Sequence, residues 1–293
     1  MEIIDIQNNG LGDVVLACWI IESSKNHKKQ IKVNPRNHGA ITHILSMPED
    51  SVTGASGGNW TKLEESGFNH ELKQAHHKDL NRFEFWSQSM GLGNLTPIRP
   101  VYGNNDQAEE WAAQEWAKMC HKDAPKIIML PEATRITRTW PLLYWLDLNN
   151  RLKEKNNTCV LTLDRRIAQQ FDAYHYWGMD IYKVAALLRQ ADVVISADSG
   201  GAHLAATLET HTIALQGPTI GNVVFGHDSF AHPISVTKKM VDCVECNFSE
   251  EKGFWKNCNS GCQALYMLNP RTVIKEVEEI LQKKLKETLI PQH

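Results

Sequence analysis

No apolar run in this 293-residue chain approaches the roughly 20 residues that a membrane-spanning helix needs. Its start, MEIIDIQNNGLGD, has neither the basic residues nor the apolar stretch of a secretory signal. Positive charge is not in excess: 31 Lys and Arg face 34 Asp and Glu, for a net charge of −3. That excludes a broad nucleic-acid-binding face, and residues 1–120, with 11 Lys and Arg against 15 Asp and Glu, allow only a local basic groove. Internal repeats and low-complexity segments are absent. No Gly-x-Gly-x-x-Gly follows the first predicted strand, which removes the fingerprint of a dinucleotide-dependent dehydrogenase. The seven cysteines are too unevenly spread for a secreted disulfide framework: Cys18, Cys120 and Cys159 are scattered, and four cluster near the C-terminus. A reducing cytoplasm is the expected setting.

What is present reads as a soluble α/β protein, with 42% hydrophobic and 22% charged residues and enough length for two domains. Residues 2–6 predict a strand, about 13–23 a helix, and 31–34 a second strand. The region 47–80 reads as irregular, and 83–90 and 109–119 carry helical spacing. After a break near residue 122 a second βα series begins: strand 126–130, helix 140–154, strand 158–163, helix 182–190, strand 193–195, helix 202–208 and strand 212–215. A helix over 271–286 closes the chain. Strands alternating with helices predict parallel sheets covered on both faces. Two such series predict two Rossmann-like domains facing across a cleft, residues 1–122 and 123–293.

Three segments stand where open parallel sheets place ligands, just past a strand and before a helix. The first is Gly10-Leu11-Gly12-Asp13, whose glycines allow close backbone approach. The second, Pro131 to Pro141, puts Thr134, Arg135 and Arg138 in five residues, and arginine suits a diphosphate through its fixed charge and fork of donors. The third is Asp198-Ser199-Gly200-Gly201, a tight polar turn opening a helix with His203 one step inside. Free N–H groups and a helix dipole there make a phosphate seat. An aspartate beside it can hold hydroxyls, and diphosphate plus hydroxyls describes a nucleotide sugar.

Together these segments resemble glycosyltransferase family 9, the heptosyltransferase-like enzymes of the GT-B fold. Gly12-Asp13 is similar to the family's N-terminal glycine–aspartate. Thr134, Arg138 and Trp140-Pro141 match its threonine, basic residue and tryptophan–proline element. Asp198-Ser199-Gly200, His203-Leu204-Ala205-Ala206 and Gly217-Pro218-Thr219 match its strongest signature, and Phe85-Trp86 with Met90-Gly91-Leu92 its inter-domain approach. The resemblance implies an inverting transfer from a nucleoside-diphosphate sugar, ADP-heptose-like or a UDP-sugar, without a catalytic metal. In it Asp13 is the expected general base. Arg138, with Thr134 and with Arg135 in reserve, stabilises the leaving diphosphate, as do the N–H groups of Ser199, Gly200 and Gly201. Asp198 holds sugar hydroxyls and is the alternative catalytic base to Asp13, Gly12 lies at the donor, and His203 either approaches the phosphates or packs its helix.

Cys243-x2-Cys246, eleven residues, then Cys258-x3-Cys262 make a ligand spacing suited to a structural zinc or iron. It also resembles the iron-binding finger of autotransporter heptosyltransferases, which helps assembly, and leaves room for an oligomer. Arg36 and His38, beside the basic run Lys25 to Lys29, are candidate acceptor-binding residues. The acceptor classes are a surface carbohydrate such as lipopolysaccharide, a protein serine or threonine, or a hydroxymethylated DNA base as in phage-type enzymes, set in a bacterial or phage-infected cell. A catalytically inactive nucleotide-sugar-binding scaffold is the rival from another class.

Overall fold

The computed structural model describes residues 3–5, 10–24, 30–32, 41, 43–47, 60–62, 79–119, 123–246, 258 and 260–289. Among these, β1 (Ile3–Asp5), β2 (Gln30–Lys32) and β3 (Trp60–Lys62) form a parallel sheet in the order β2-β1-β3. β1 and β2 lie within the strands predicted at 2–6 and at 31–34 or one residue outside them. β3 lies inside the region read as irregular, because three residues, Trp-Thr-Lys, are too few for an alternating pattern to register.

α1 (Leu11–Ser23) follows β1, and every residue from Val14 to Glu22 is buried. A helix apolar all round must be covered all round. α2 (Arg82–Ser89) and α3 (Asp106–Ala117) come next.

The second sheet contains β4 (Lys126–Leu130), β5 (Asn157–Thr162), β6 (Tyr174–Trp177), β7 (Val193–Ala197), β8 (His211–Leu215) and β9 (Ala231–Ile234). All are parallel, in the order β6-β5-β4-β7-β8-β9. The chain winds outward from β4 to β6, crosses back to β7 and winds outward the other way. The winding direction therefore reverses between β4 and β7, which opens a crevice past their carboxyl ends.

Strand alternation sorts the two faces. Ile128, Cys159, Val194 and Ala214 join one core with α1, α2, α6 (Ile181–Arg189) and α7 (Gly200–Thr207). Ile127, Met129, Val193, Ile195, Ile213 and Leu215 join the other, with α4 (Leu142–Leu152) and α10 (Pro270–Leu289). Between α4 and α6 lies the short α5 (Arg165–Ala168). α8 (Gly221–Phe225) and α9 (Gln263–Met267) lie between α7 and α10.

α1 packs directly on α7, so the first βα unit is seated against the second sheet. The approach needs glycine. A Cβ on Gly200 would stand 2.5 Å from Leu11 Cβ and 2.8 Å from Gly12 N, and one on Gly12 would stand 2.7 Å from His203 Cδ2. Gly200 and Gly201 thus belong to the first turn of α7, not to a loop before it as the sequence suggested. Further along the contact, Trp19 Nε1 donates to Thr207 Oγ1 at 2.8 Å in a buried bond. Arg99 adds a second tie, donating to Asp228 at 2.8 and 3.3 Å and to the Ala206 carbonyl at 2.6 Å, with its guanidinium over the rings of Trp19 and Phe230. α3 packs on α6, where Gln190 Nε2 donates to the Glu109 carbonyl at 2.9 Å.

Candidate active site

A cavity of about 600 Å³ lies past the carboxyl ends of β4 and β7 and is closed by the start of α1. Its wall carries three arginines, Arg82, Arg135 and Arg138, and three acids, Asp13, Glu132 and Asp198. α1 and α7 both present their N-terminal turns to it, so two helix dipoles add positive potential at one end. Ser199, the residue before α7, makes no side-chain cap. The first-turn N–H groups of Gly200 and Gly201 are therefore not capped from that side chain.

Asp13 sits in the first turn of α1, and its Oδ2 accepts from the Gly10 N–H at 3.0 Å. Its Oδ1 accepts from Arg82 Nη2 at 2.6 Å, and Arg82 is only 2% exposed. The aspartate is thus both a helix-capping residue and the partly buried half of an ion pair with a buried arginine at the cavity wall.

Asp198 is buried at the end of β7. Its Oδ2 accepts from Thr219 Oγ1 at 2.8 Å and lies 3.6 Å from Arg138 Nε. Arg138 ends a 3-10 turn, Ile136–Arg138, that bends the chain after β4 back toward β7. Arg135, just before that turn, is held below the ordinary guanidinium value by burial and then by the charge of Arg138. Thr134 lines the same wall.

His203 is buried under Gly12 and stacks on Phe225 with ring centroids 4.3 Å apart. Burial first, then the charges of Arg82 and Arg138, push it down to about 3. It is a neutral imidazole at neutral pH, so it adds packing to the cavity floor but no charge.

The structure therefore brings Gly12, Asp13, Thr134, Arg135, Arg138, Asp198, Ser199, Gly200, Gly201 and His203 to one cavity, though the first and third segments lie almost 190 residues apart in the chain. Arg36 and His38 lie outside the described residues, as does the run Lys25 to Lys29.

Sequence reasoning missed Arg82. Nothing local marks it beyond its place after Asn81, which with Glu84 forms the capping box of α2. It also gave Glu132 no role. The carboxylate of Glu132 accepts from the Leu163 N–H, joining the ends of β4 and β5. Leu161, Leu163, Tyr176, Met179 and Ile181 make the other end of the cavity apolar. Tyr176 comes from β6, a strand the sequence did not reveal because its residues alternate weakly and none is fully buried.

Cys243 and Cys246 follow β9, and Cys262 precedes α9. No disulfide joins these three or Cys258. Burial raises Cys246 to about 12, with further contributions from Cys262, Cys243 and Cys258, and it raises Cys243 and Cys262 as well. The four thiols are therefore within electrostatic reach of one another. Among the described residues, however, no three His, Cys, Asp or Glu side chains are gathered as metal ligands. The expected zinc or iron set is not closed here.

Among the described residues no helix is long and apolar enough to cross a membrane. Two parallel sheets, the larger doubly wound with its crevice facing the first turn of α1, place the chain among the GT-B glycosyltransferase folds. The chain belongs to glycosyltransferase family 9 (heptosyltransferase), whose family model matches residues 83–262. A 105-residue stretch is 30% identical to lipopolysaccharide heptosyltransferase 1 of Pseudomonas aeruginosa, covering 33% of this chain and 30% of that protein. That match spans less than a third of the curated relative's length. The ADP-heptose lipopolysaccharide heptosyltransferase II of E. coli shares the fold with a TM-score of 0.62 at 13% identity, over 97% of this chain and 99% of that one. TibC of enterotoxigenic E. coli, an iron-containing dodecameric glycosyltransferase, gives 0.69 at 13% identity, over 96% of this chain and 76% of that one. TibC has also been solved with ADP-D-β-D-heptose.

Proposed function

We propose that this protein is an inverting glycosyltransferase that moves a sugar from a nucleoside-diphosphate sugar to an acceptor hydroxyl. One observation carries the reading: two helix N-termini and three arginines converge on one cavity, and the carboxylate of Asp13, in the first turn of α1 beside Arg82, lies at its wall. The diphosphate takes the positive end, between Arg138, Arg135, Thr134 and the N–H groups of Gly200 and Gly201. The base takes the apolar end, near Leu163, Tyr176 and Met179. Glu132, bonded to the Leu163 N–H, would take the ribose hydroxyls.

Transfer proceeds by attack of the acceptor oxygen on the anomeric carbon. The bond from that carbon to the β-phosphate oxygen breaks, and the acceptor proton passes to Asp13. Charge growing on the leaving diphosphate meets Arg138 and the start of α7, groups already in place and not rearranged during the reaction. Asp198 orients Arg138 and has acceptor capacity left for donor-sugar hydroxyls. None of these steps uses a metal.

The donor is ADP-heptose-like or a UDP-sugar, and the acceptor is a surface carbohydrate such as lipopolysaccharide. Two relatives named for that chemistry support this choice. A protein serine or threonine is the second acceptor class, favoured by the four cysteines together with the likeness to TibC. The test is a panel of ADP-, UDP-, GDP- and CDP-sugars, scored for nucleotide release and for thermal stabilisation. One donor is expected to stabilise the chain and to be slowly hydrolysed without acceptor. Stabilisation without any hydrolysis would instead support an inactive sugar-binding scaffold, and no response to any donor would remove the reading.

The reading further divides the chain into an acceptor domain, residues 1–122, and a donor domain, residues 123–293, within which Cys243, Cys246, Cys258 and Cys262 hold a structural zinc or iron. The donor set suits such an ion: burial and neighbouring thiols resist deprotonation of Cys243, Cys246 and Cys262, and a cation would stabilise them as thiolates. Metal analysis of the purified chain is expected to find about one zinc or iron per molecule. A content well below that overturns the metal assignment and leaves the transferase reading intact.

A further inference from the structure

We infer that Arg82 is the positioning residue for Asp13, holding its carboxylate in the orientation from which it accepts the proton of the attacking hydroxyl. The inference rests on the reading of Asp13 as general base. Asp13 is gripped at both oxygens, by the Gly10 N–H at 3.0 Å and by Arg82 Nη2 at 2.6 Å. A carboxylate on a short side chain with only the first contact keeps rotational freedom. The second removes it.

Arg82 is itself held. Its guanidinium lies 5.2 Å from the centroid of the Trp86 ring, one helical turn on. Phe83 and Trp86 are fully buried, which anchors α2 in the core. The capping box closes the same turn, with Glu84 N donating to Asn81 at 3.0 Å and Asn81 N donating to Glu84 at 2.8 Å. The guanidinium is thus delivered to Asp13 from a rigid turn and not from a loop.

Stability alone is a poor reason for such a pair. Burying an arginine and an aspartate carries a desolvation cost that their attraction often only offsets, and apolar residues of similar size commonly serve packing as well or better. This pair also lines the cavity and does not fill the core interior. Orientation is a sufficient reason for the pair, because misplacing a reacting group by about 1 Å can cost about 100-fold in rate. The competing role for Arg82 is direct contact with the donor diphosphate, and it predicts a different result.

The test compares wild type, Asp13→Ala, Arg82→Ala and Arg82→Lys in the full chain. Affinity is measured with ADP and with UDP, and turnover as nucleotide release from ADP-D-β-D-heptose and UDP-glucose. Arg82→Ala is expected to lower turnover about 100-fold while nucleotide affinity stays within about threefold. Arg82→Lys, which keeps one charged donor, is expected to recover at least about tenfold of that loss. Affinity falling in parallel with turnover, neither quantity falling, or a lysine variant no better than alanine overturns the positioning role. If Arg82→Ala does not fold, Arg82→Lys decides by the same comparison of turnover with affinity. A wild-type chain that consumes none of the ADP-, UDP-, GDP- and CDP-sugars, or an Asp13→Ala chain that turns over normally, removes the underlying reading and this inference with it. With wild type active and Asp13→Ala inactive, the reading stands and the Arg82 variants decide this inference alone.

Discussion

Asp13→Ala is expected to lower transfer by about 100-fold to 10,000-fold, the range a positioned general base supplies. Nucleoside-diphosphate affinity should change little if, as proposed, Asp13 serves the incoming hydroxyl and not the diphosphate. The variant carries a structural cost as well. Arg82 is 2% exposed, and removing Asp13 takes one partner from its charge, which destabilises the chain by less than the loss from a fully buried pair because Asp13 is itself only partly buried. Asp13→Asn separates the two effects. It retains an acceptor for Arg82 and a similar shape but cannot take the proton, so it should melt closer to wild type while remaining as inactive as alanine. Nucleotide-release kinetics with the identified donor, beside calorimetric binding of the free nucleoside diphosphate, reads both quantities. Full turnover in either variant would take the base role from Asp13.

Arg138→Ala is expected to act on the other side of the reaction. Loss of a charge-assisted hydrogen bond costs about 1.5–3 kcal/mol, or roughly 10-fold to 150-fold in nucleoside-diphosphate affinity. The bond to Thr219 at 2.8 Å still holds Asp198, so the end of β7 should keep its shape. Turnover should fall further than affinity, since the leaving diphosphate carries more charge than the bound donor. Unchanged affinity in this variant would move the phosphate contact to Arg135, whose guanidinium lines the same wall.

Much of the second sheet was legible in the chain itself. The strand predicted at 126–130 is β4 as observed, and β5, β7 and β8 fall within a residue or two of prediction. Those strands are buried on both faces, so they read as continuous apolar runs closed by polar turns. β6 and β9 were not legible. Both are edge strands of four residues with half-exposed side chains, and partial burial leaves no sharp pattern. The glycines of the first and third segments were legible as important, but part of the reason differed. Gly12 and Gly200 are required where α1 meets α7, whatever they also offer a phosphate.

By itself the sequence determined the parallel α/β class, the three strand-end segments and the residue types suited to a diphosphate. Each of these rests on short-range pattern: apolar period, a turn before a helix, charge beside a glycine. Tertiary structure alone decided that Asp13 faces Arg82, a partner 69 residues away, and that His203 lies neutral beneath Gly12. It also decided that Asp198 turns toward Thr219 and Arg138. The physical reason is that an ion pair or a burial-driven shift depends on which elements pack together. That packing is set by the topology of the whole chain, and no local pattern records it.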